Sequence, residues 1–260
     1  MIDALAQTPI WYWALVAGVL GLAFGSFATV AAHRWPRGES LVRPGSHCPA
    51  CEHRLRPHEL VPVLSWLVQG GRCRSCETRI HWRYPAIELA CGLLAGAAVL
   101  TFGADWQGAA AALLAVVLVP VIAIDLEHQL IPDVLVLPAA AAGLFLAIAS
   151  DPSRWWVAVA SAAGAAAFLF VLWLVHPGGM GLGDVKLALL MGAVLGASVI
   201  PALFIAFLLG GLLGAVLLVR FGGSARKMAV PFGPFLATGA LVALWWGPAM
   251  VGWYLDRFAL

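Results

Sequence analysis

The sequence predicts an all-α integral membrane protein of about eight transmembrane helices, with one long polar loop between the first and the second. Three observations predict it. Hydrophobic residues make up 62% of the 260 and charged residues only 11%, where water-soluble chains carry about 45–50% and about a quarter. Mean hydropathy is +0.93. Apolar tracts long enough to cross a bilayer core of about 30 Å, which takes about 20 residues as a helix, recur along the chain, and only residues 33–84 break the series for long.

Each tract is read as helix, because lipid offers backbone amides and carbonyls no partners. The spans are 10–32, 86–103, 107–125, 134–150, 155–175, 185–199, 202–219 and 230–250. The sixth is short and is read as ending near Pro201. The first is not read as a cleavable signal peptide, since no basic region precedes it and its apolar run is too long.

Basic residues set the orientation. Nine arginines lie between the first two spans: Arg34, Arg37, Arg43, Arg54, Arg56, Arg72, Arg74, Arg79 and Arg83. Arg220, Arg226 and Lys227 lie between the seventh and eighth spans, and Lys186 opens the sixth; the opposite side holds Asp3, Asp105, Asp151 and Asp256 with only Arg154 and Arg257. The excess of positive charge on cytoplasmic loops therefore predicts a cytoplasmic long loop and both termini outside. Four glutamates (Glu39, Glu52, Glu59 and Glu77) offset the nine arginines, leaving residues 33–84 at about +5. A basic loop beside a bilayer is read as meeting anionic lipid headgroups. Nucleic acid is not an expected partner, because topology already accounts for the charge.

Inside the loop stand Cys48-Pro49-Ala50-Cys51 and Cys73-Arg74-Ser75-Cys76. Two thiolates two residues apart grip one metal from a tight turn, and a second such pair completes a tetrahedron. The 21 residues between the pairs slightly exceed the usual spacing of about 15–20, and Gly45, Gly70 and Gly71 suit knuckle turns. Disulfides, a redox pair or an iron centre are the alternatives; a reducing cytoplasm favours zinc. A closed four-cysteine site keeps no open position, so the zinc is read as structural, folding a loop with little core of its own. His47, His53, His58 and His81 are read as loop surface, and Cys91, within the second span, as a buried small apolar residue.

Ionisable groups in or beside membrane helices are costly and usually functional. Asp125 ends the third span in Ile124-Asp125-Leu126-Glu127-His128, and Asp184 opens the sixth in Gly181-Leu182-Gly183-Asp184-Val185-Lys186. Both fall at the predicted cytoplasmic boundary. Brought together, two aspartates can share a proton, one as base toward water and one as acid toward a scissile amide, the minimum for an aspartic peptidase. The bland alternatives are a helix-end residue at the headgroups for Asp125 and an N-cap for Asp184. The alternating glycines before Asp184 follow no strand, which argues against a dinucleotide loop.

These residues together resemble the type IV prepilin peptidase family, over nearly the whole chain. Gly25-Ser26-Phe27, Arg34-Trp35-Pro36, the two cysteine pairs, Pro62-Val63-Leu64-Ser65-Trp66-Leu67 and Arg83-Tyr84-Pro85-Ala86-Ile87-Glu88 match its zinc-binding cytoplasmic region. Asp125, Ile131-Pro132-Asp133 and Gly181-Leu182-Gly183-Asp184 match its peptidase pattern, a signature of intramembrane aspartic proteases. The resemblance implies a bacterial inner-membrane enzyme with Asp125 and Asp184 as the catalytic pair and Asp133 outside it. It implies removal of a short basic leader after a glycine from prepilins or pseudopilins, serving type IV pili or type II secretion. It further implies methylation of the new N-terminal residue, usually phenylalanine, with S-adenosyl-L-methionine. Residues 1–32 are then the first helix, 33–84 the zinc loop and 85–260 the peptidase domain.

Two other readings compete. A peptidase alone would keep the zinc loop only as a fold anchor. A proton-coupled transporter would place carboxylates near mid-membrane within internal repeats, and neither is found. A basic leader beside a basic loop calls for local acids, with Glu88, Glu127 and Asp133 as the candidates.

Overall fold

A computed structural model describes residues 8–35, 38–40, 43, 45–176 and 178–258, without the side chains of His33, Ala225, Arg226 and Lys227; Asp3, Pro36 and Arg37 of the sequence reading lie outside the described residues. Eight long helices follow in order: α1 (Ile10–Arg34), α2 (Arg83–Phe102), α3 (Trp106–His128), α4 (Asp133–Ser150), α5 (Trp155–Val175), α6 (Leu182–Leu195), α7 (Val199–Phe221) and α8 (Gly233–Phe258). Among the described residues there is no β-strand, only two isolated bridges. Side chains such as Leu20 and Val219 are 65% and 88% exposed, a surface suited to lipid rather than water. The chain is a multi-pass membrane protein.

Among the described residues, seven helical runs are long and apolar enough to cross a membrane. Six match expected spans singly. The other, Leu182–Ser224, has 43 residues and takes in α6 and α7 together. As one straight helix it would measure about 65 Å, twice the bilayer core. It breaks instead at Gly196–Ser198, where Gly196 has φ +55° and ψ −133°, a backbone conformation that glycine adopts at no steric cost and other residues avoid. The expected break near Pro201 is therefore corrected. Pro201 lies in the first turn of α7, where a missing N–H forfeits no helical bond.

The chain divides into two compact units, Met1–Pro120 and Val121–Leu260, with the boundary inside α3. In the first, α1 and α2 run antiparallel at backbone contact. A Cβ on Gly21 would lie 2.6 Å from the Cys91 carbonyl oxygen, one on Gly25 would lie 2.8 Å from Glu88 Cα, and one on Gly96 would lie 3.2 Å from the Ala14 carbonyl oxygen. Small residues three and four apart form this seam, as membrane helices require when packing rather than water drives association. Cys91 is fully buried, as expected, but it does more than fill space. Pro120 cannot donate to the Val116 carbonyl one turn earlier, and the Cys91 thiol donates to that oxygen at 3.6 Å.

In the second unit α5 and α6 form a hairpin in which Gly192 sits against the backbone of Ser161 and Ala162, while Gly183, at the start of α6, meets Ile131 just before α4. α8 lies antiparallel to α7: Gly210 faces Phe232, Gly239 faces Ala202, and Gly247 reaches Ser198. So α6 leads away from the level of Asp184, and α7 returns to it. At 14 residues, α6 is only about 21 Å long.

Candidate active site and metal centre

The two cysteine pairs fold as near-copies of one another, 25 positions apart. Cys48 N–H donates to the His53 carbonyl at 2.9 Å, and Cys73 N–H to that of Thr78 at 2.9 Å. Glu52 N–H returns to the Cys48 carbonyl (2.9 Å) as Glu77 N–H does to that of Cys73 (3.0 Å). Antiparallel bridges His47–Arg54 and Arg72–Arg79 close the two turns. Each tight turn needs a left-handed residue after its second cysteine, and glutamate fills both places, Glu52 at φ +57° and Glu77 at φ +56°.

The four Sγ atoms converge within 4.8 Å of one another. Cys48–Cys76 and Cys51–Cys73 are 3.8 and 3.9 Å apart, far from a disulfide bond of about 2.0 Å. They fit the edge of a tetrahedron of zinc–thiolate bonds, about 3.8 Å for a metal–sulfur length of about 2.3 Å. The cluster can hold a metal. The Thr78 hydroxyl, 3.3 Å from Cys76 Sγ, and the Thr78 backbone amide hold the Cys76 thiol down toward the thiolate that metals require, while the contact it shares with Cys51 pushes the Cys51 thiol up.

No histidine joins the metal cluster among the described residues. His47 Nδ1 is 3.0 Å from the Gly45 carbonyl, His53 lies 3.6 Å from Glu59, His58 3.4 Å from Arg74, and His81 stacks on Trp82. The second knuckle leans on Trp66, whose Nε1 donates to the Ile80 carbonyl at 3.1 Å. Its ring lies where a Cβ on Gly71 would be, 2.9 Å away, and Gly71 has φ +68°. Buried Glu59 accepts the Arg56 N–H at 2.8 Å, and that bond holds its carboxyl below the usual carboxylate range.

In the second unit the two aspartates of the sequence reading are both 5% exposed. Asp125, in the last turn of α3, accepts the Gly233 N–H of α8 at 2.9 Å through Oδ2. A Cβ on Gly233 would lie 2.6 Å from that oxygen, so only glycine lets this backbone meet the carboxylate so closely. Asp184, third residue of α6, bends back to accept the Gly181 N–H at 3.0 Å through Oδ2. Asp184 Oδ1 is buried without a hydrogen-bond partner, alone among the described buried side-chain oxygens and nitrogens.

Of the acids considered for leader contacts, Asp133 is gripped by Lys186 Nζ at 2.7 Å to each carboxylate oxygen, which ties the start of α4 to α6. Glu127 lies 3.7 Å from His128. Glu88 is 9% exposed and accepts the Val63 N–H at 2.7 Å. Sequence reasoning missed Gly233 and Lys186. The Pro231-Phe232-Gly233-Pro234 run hints at a tight backbone, but its carboxylate partner is 108 residues away.

Two family models match the chain: the bacterial peptidase A24 N-terminal domain over residues 19–102, and the type IV leader peptidase family over residues 112–219. Proteins named prepilin leader peptidase/N-methyltransferase are similar over nearly their whole length. That of Stutzerimonas stutzeri is 37% identical over 98% of this chain and 98% of its own. That of Pseudomonas aeruginosa is 35% identical with the same coverage, and that of Bacillus subtilis 35% identical over 91% of this chain and 96% of its own. No solved structure matches.

Proposed function

The chain belongs to the type IV leader peptidase family, and from that premise we propose that it cleaves the leaders of prepilins or pseudopilins with Asp125 and Asp184 and then N-methylates the new terminus. The observation that carries the peptidase half is the buried, partnerless Asp184 Oδ1, beside an Oδ2 already held by the Gly181 N–H. A buried acceptor left unpaired is costly, and a reacting water or amide would satisfy it.

In the cleavage one carboxylate takes a proton from water as the water oxygen bonds to the scissile carbonyl carbon. The other gives a proton to the departing amine nitrogen as the C–N bond breaks. Gly233 and Gly181 each hold one oxygen of their aspartate, which fixes the remaining oxygens for the reactants. Lys186 and Asp133 brace the two helix starts without entering the chemistry.

Cys48, Cys51, Cys73 and Cys76 hold a structural zinc in this reading, and it joins the two knuckles. The methyl donor is S-adenosyl-L-methionine, which supplies an activated methyl group to the exposed amine. With no strand among the described residues, its pocket is built from the loop and adjoining helices rather than a nucleotide-binding fold. We place the protein in the bacterial inner membrane, with residues 33–84 and the aspartates on the cytoplasmic side, where the basic loop also meets anionic lipid. Residues 1–32, 33–84 and 85–260 serve as first helix, zinc loop and peptidase domain.

The test is cleavage of a prepilin panel by purified Asp125→Asn and Asp184→Asn, with products weighed. Each variant abolishes cleavage, while metal content and methylation of pre-cleaved substrate persist. Wild-type cleavage by either variant defeats the paired mechanism.

A further inference from the structure

Glu88 is a buried carboxylate that cleavage does not use. It is the sixth residue of α2, and its single hydrogen bond comes from the Val63 N–H. Among the described residues no lysine, arginine or histidine forms an ion pair with it. Its other oxygen is not among the fully buried atoms that lack a partner, so it remains reachable, and a largely buried charge is poorly served by one neutral donor alone. If anchoring Val63 were its whole task, a neutral glutamine would do it with less desolvation.

The way that donor is presented is also unusual. Val63 has φ +61° and ψ −51°, and the Leu64 N–H donates to the Pro62 carbonyl at 2.6 Å. That is the rare, strained form of the three-residue turn, occupied by a β-branched residue for which positive φ is an outlier. Strain of this kind clusters where a site must be held in one geometry. From the other side α1 holds Glu88, since Gly25 admits no Cβ against Glu88 Cα. Tyr84 stands four residues earlier, on the same face of α2, with 41% of its surface exposed. A carboxylate with an aromatic residue one helical turn before it suits a small organic cation, drawn by charge and by a ring's face.

We propose that Glu88 and Tyr84 receive the new N-terminal ammonium of the cleaved substrate and that Glu88 takes one of its protons; the freed lone pair then bonds to the donor's methyl carbon as the carbon–sulfur bond breaks and the neutral thioether leaves. This rests on the methyltransferase half of the function proposed above. The leader's removal creates the cation, so the site distinguishes the cleaved product from the uncleaved chain, whose corresponding nitrogen is a neutral amide.

The experiment measures binding of two short peptides beginning in phenylalanine to the full-length, detergent-solubilised protein with no methyl donor present. One peptide carries a free terminal ammonium and the other is N-acetylated. The wild type prefers the free terminus by at least roughly tenfold, the worth of one charge-assisted hydrogen bond. Glu88→Gln keeps an oxygen for the Val63 N–H but drops the charge, and the preference falls to within twofold at unchanged metal content and thermal midpoint. Tyr84→Leu, at an exposed ring, lowers the preference severalfold and serves if the glutamine variant is unstable. Full discrimination by both variants overturns the proposal and leaves Glu88 an anchor for the turn. Weaker binding of the methyl donor to Glu88→Gln, with peptide preference intact, also overturns it by giving the carboxylate to the sulfonium. A wild type that methylates yet binds both peptides alike refutes this inference alone; one that neither cleaves nor methylates refutes the function beneath it.

Discussion

Gly233→Ala is the sharpest probe of the aspartate geometry, because it adds one methyl group and removes no polar atom. The new Cβ would sit 2.6 Å from Asp125 Oδ2, 3.1 Å from its Cγ and 3.3 Å from its Cβ. A comfortable carbon–oxygen approach is about 3.3–3.6 Å, so the carboxylate must retreat by roughly 0.7–1.0 Å. Misplacing a reacting group by about 1 Å costs on the order of 100-fold in rate, or about 2.7 kcal/mol in the barrier. The Gly233 N–H survives the substitution, so the loss reports position rather than a missing donor. The assay is the initial rate of prepilin cleavage under saturating substrate, with metal content as the control for the loop. Expected are a fall in kcat near 100-fold and an undisturbed metal site. A variant that cleaves within threefold of the wild type would refute the claim that this contact places Asp125.

Four further outcomes are expected. Elemental analysis of protein purified without chelator should give one zinc per chain, with X-ray absorption placing four sulfurs at about 2.3 Å; serine at Cys48, Cys51, Cys73 or Cys76 should empty the site. Glu52→Gly and Glu77→Gly should each stabilise the loop by about 1 kcal/mol, because the left-handed cost to a side chain is about 1–2 kcal/mol, read as slower hydrogen exchange there. Cys91→Ala leaves the Val116 carbonyl unpaired and should cost about 1–3 kcal/mol, while Cys91→Ser retains a donor; a serine variant less stable than alanine would contradict the bond. The folded carboxyl of Glu59 lies below its unfolded value, so its stabilisation is complete above the unfolded value of about 4.3 and fades as pH falls through the folded one. Glu59→Gln should therefore differ most from wild type near neutral pH, and loop exchange that stays equally different in strong acid would oppose this.

What could be read beforehand were features whose cause is local. Apolar run length sets where most helices begin and end to within a few residues, though the last runs on to Phe258, eight residues past its expected end, and a two-residue cysteine spacing dictates a knuckle whatever surrounds it. The hidden features depend on partners far along the chain. That Gly233 exists for Asp125, or that the Cys91 thiol answers an oxygen freed by Pro120, is written in no window around either residue. The break between α6 and α7 was misplaced for a related reason. Proline signals a helix boundary on either side of itself, and only the positive φ of Gly196, unremarkable in a glycine-rich run, decides which.

The shortness of α6 would make membrane thickness part of the proposed cleavage. Its ends are about 21 Å apart, roughly 9 Å less than the hydrocarbon of an average bilayer, and each ångström of such mismatch costs a fraction of a kcal/mol. Asp184 lies only 11 residues before the end of this helix, about 17 Å along its axis. Lipid pinching inward around α6 would bring headgroups and water down to the carboxylates, which bulk hydrocarbon would keep dry. Acyl chain length, from thin bilayers to thick ones, would then govern how readily the hydrolytic water arrives.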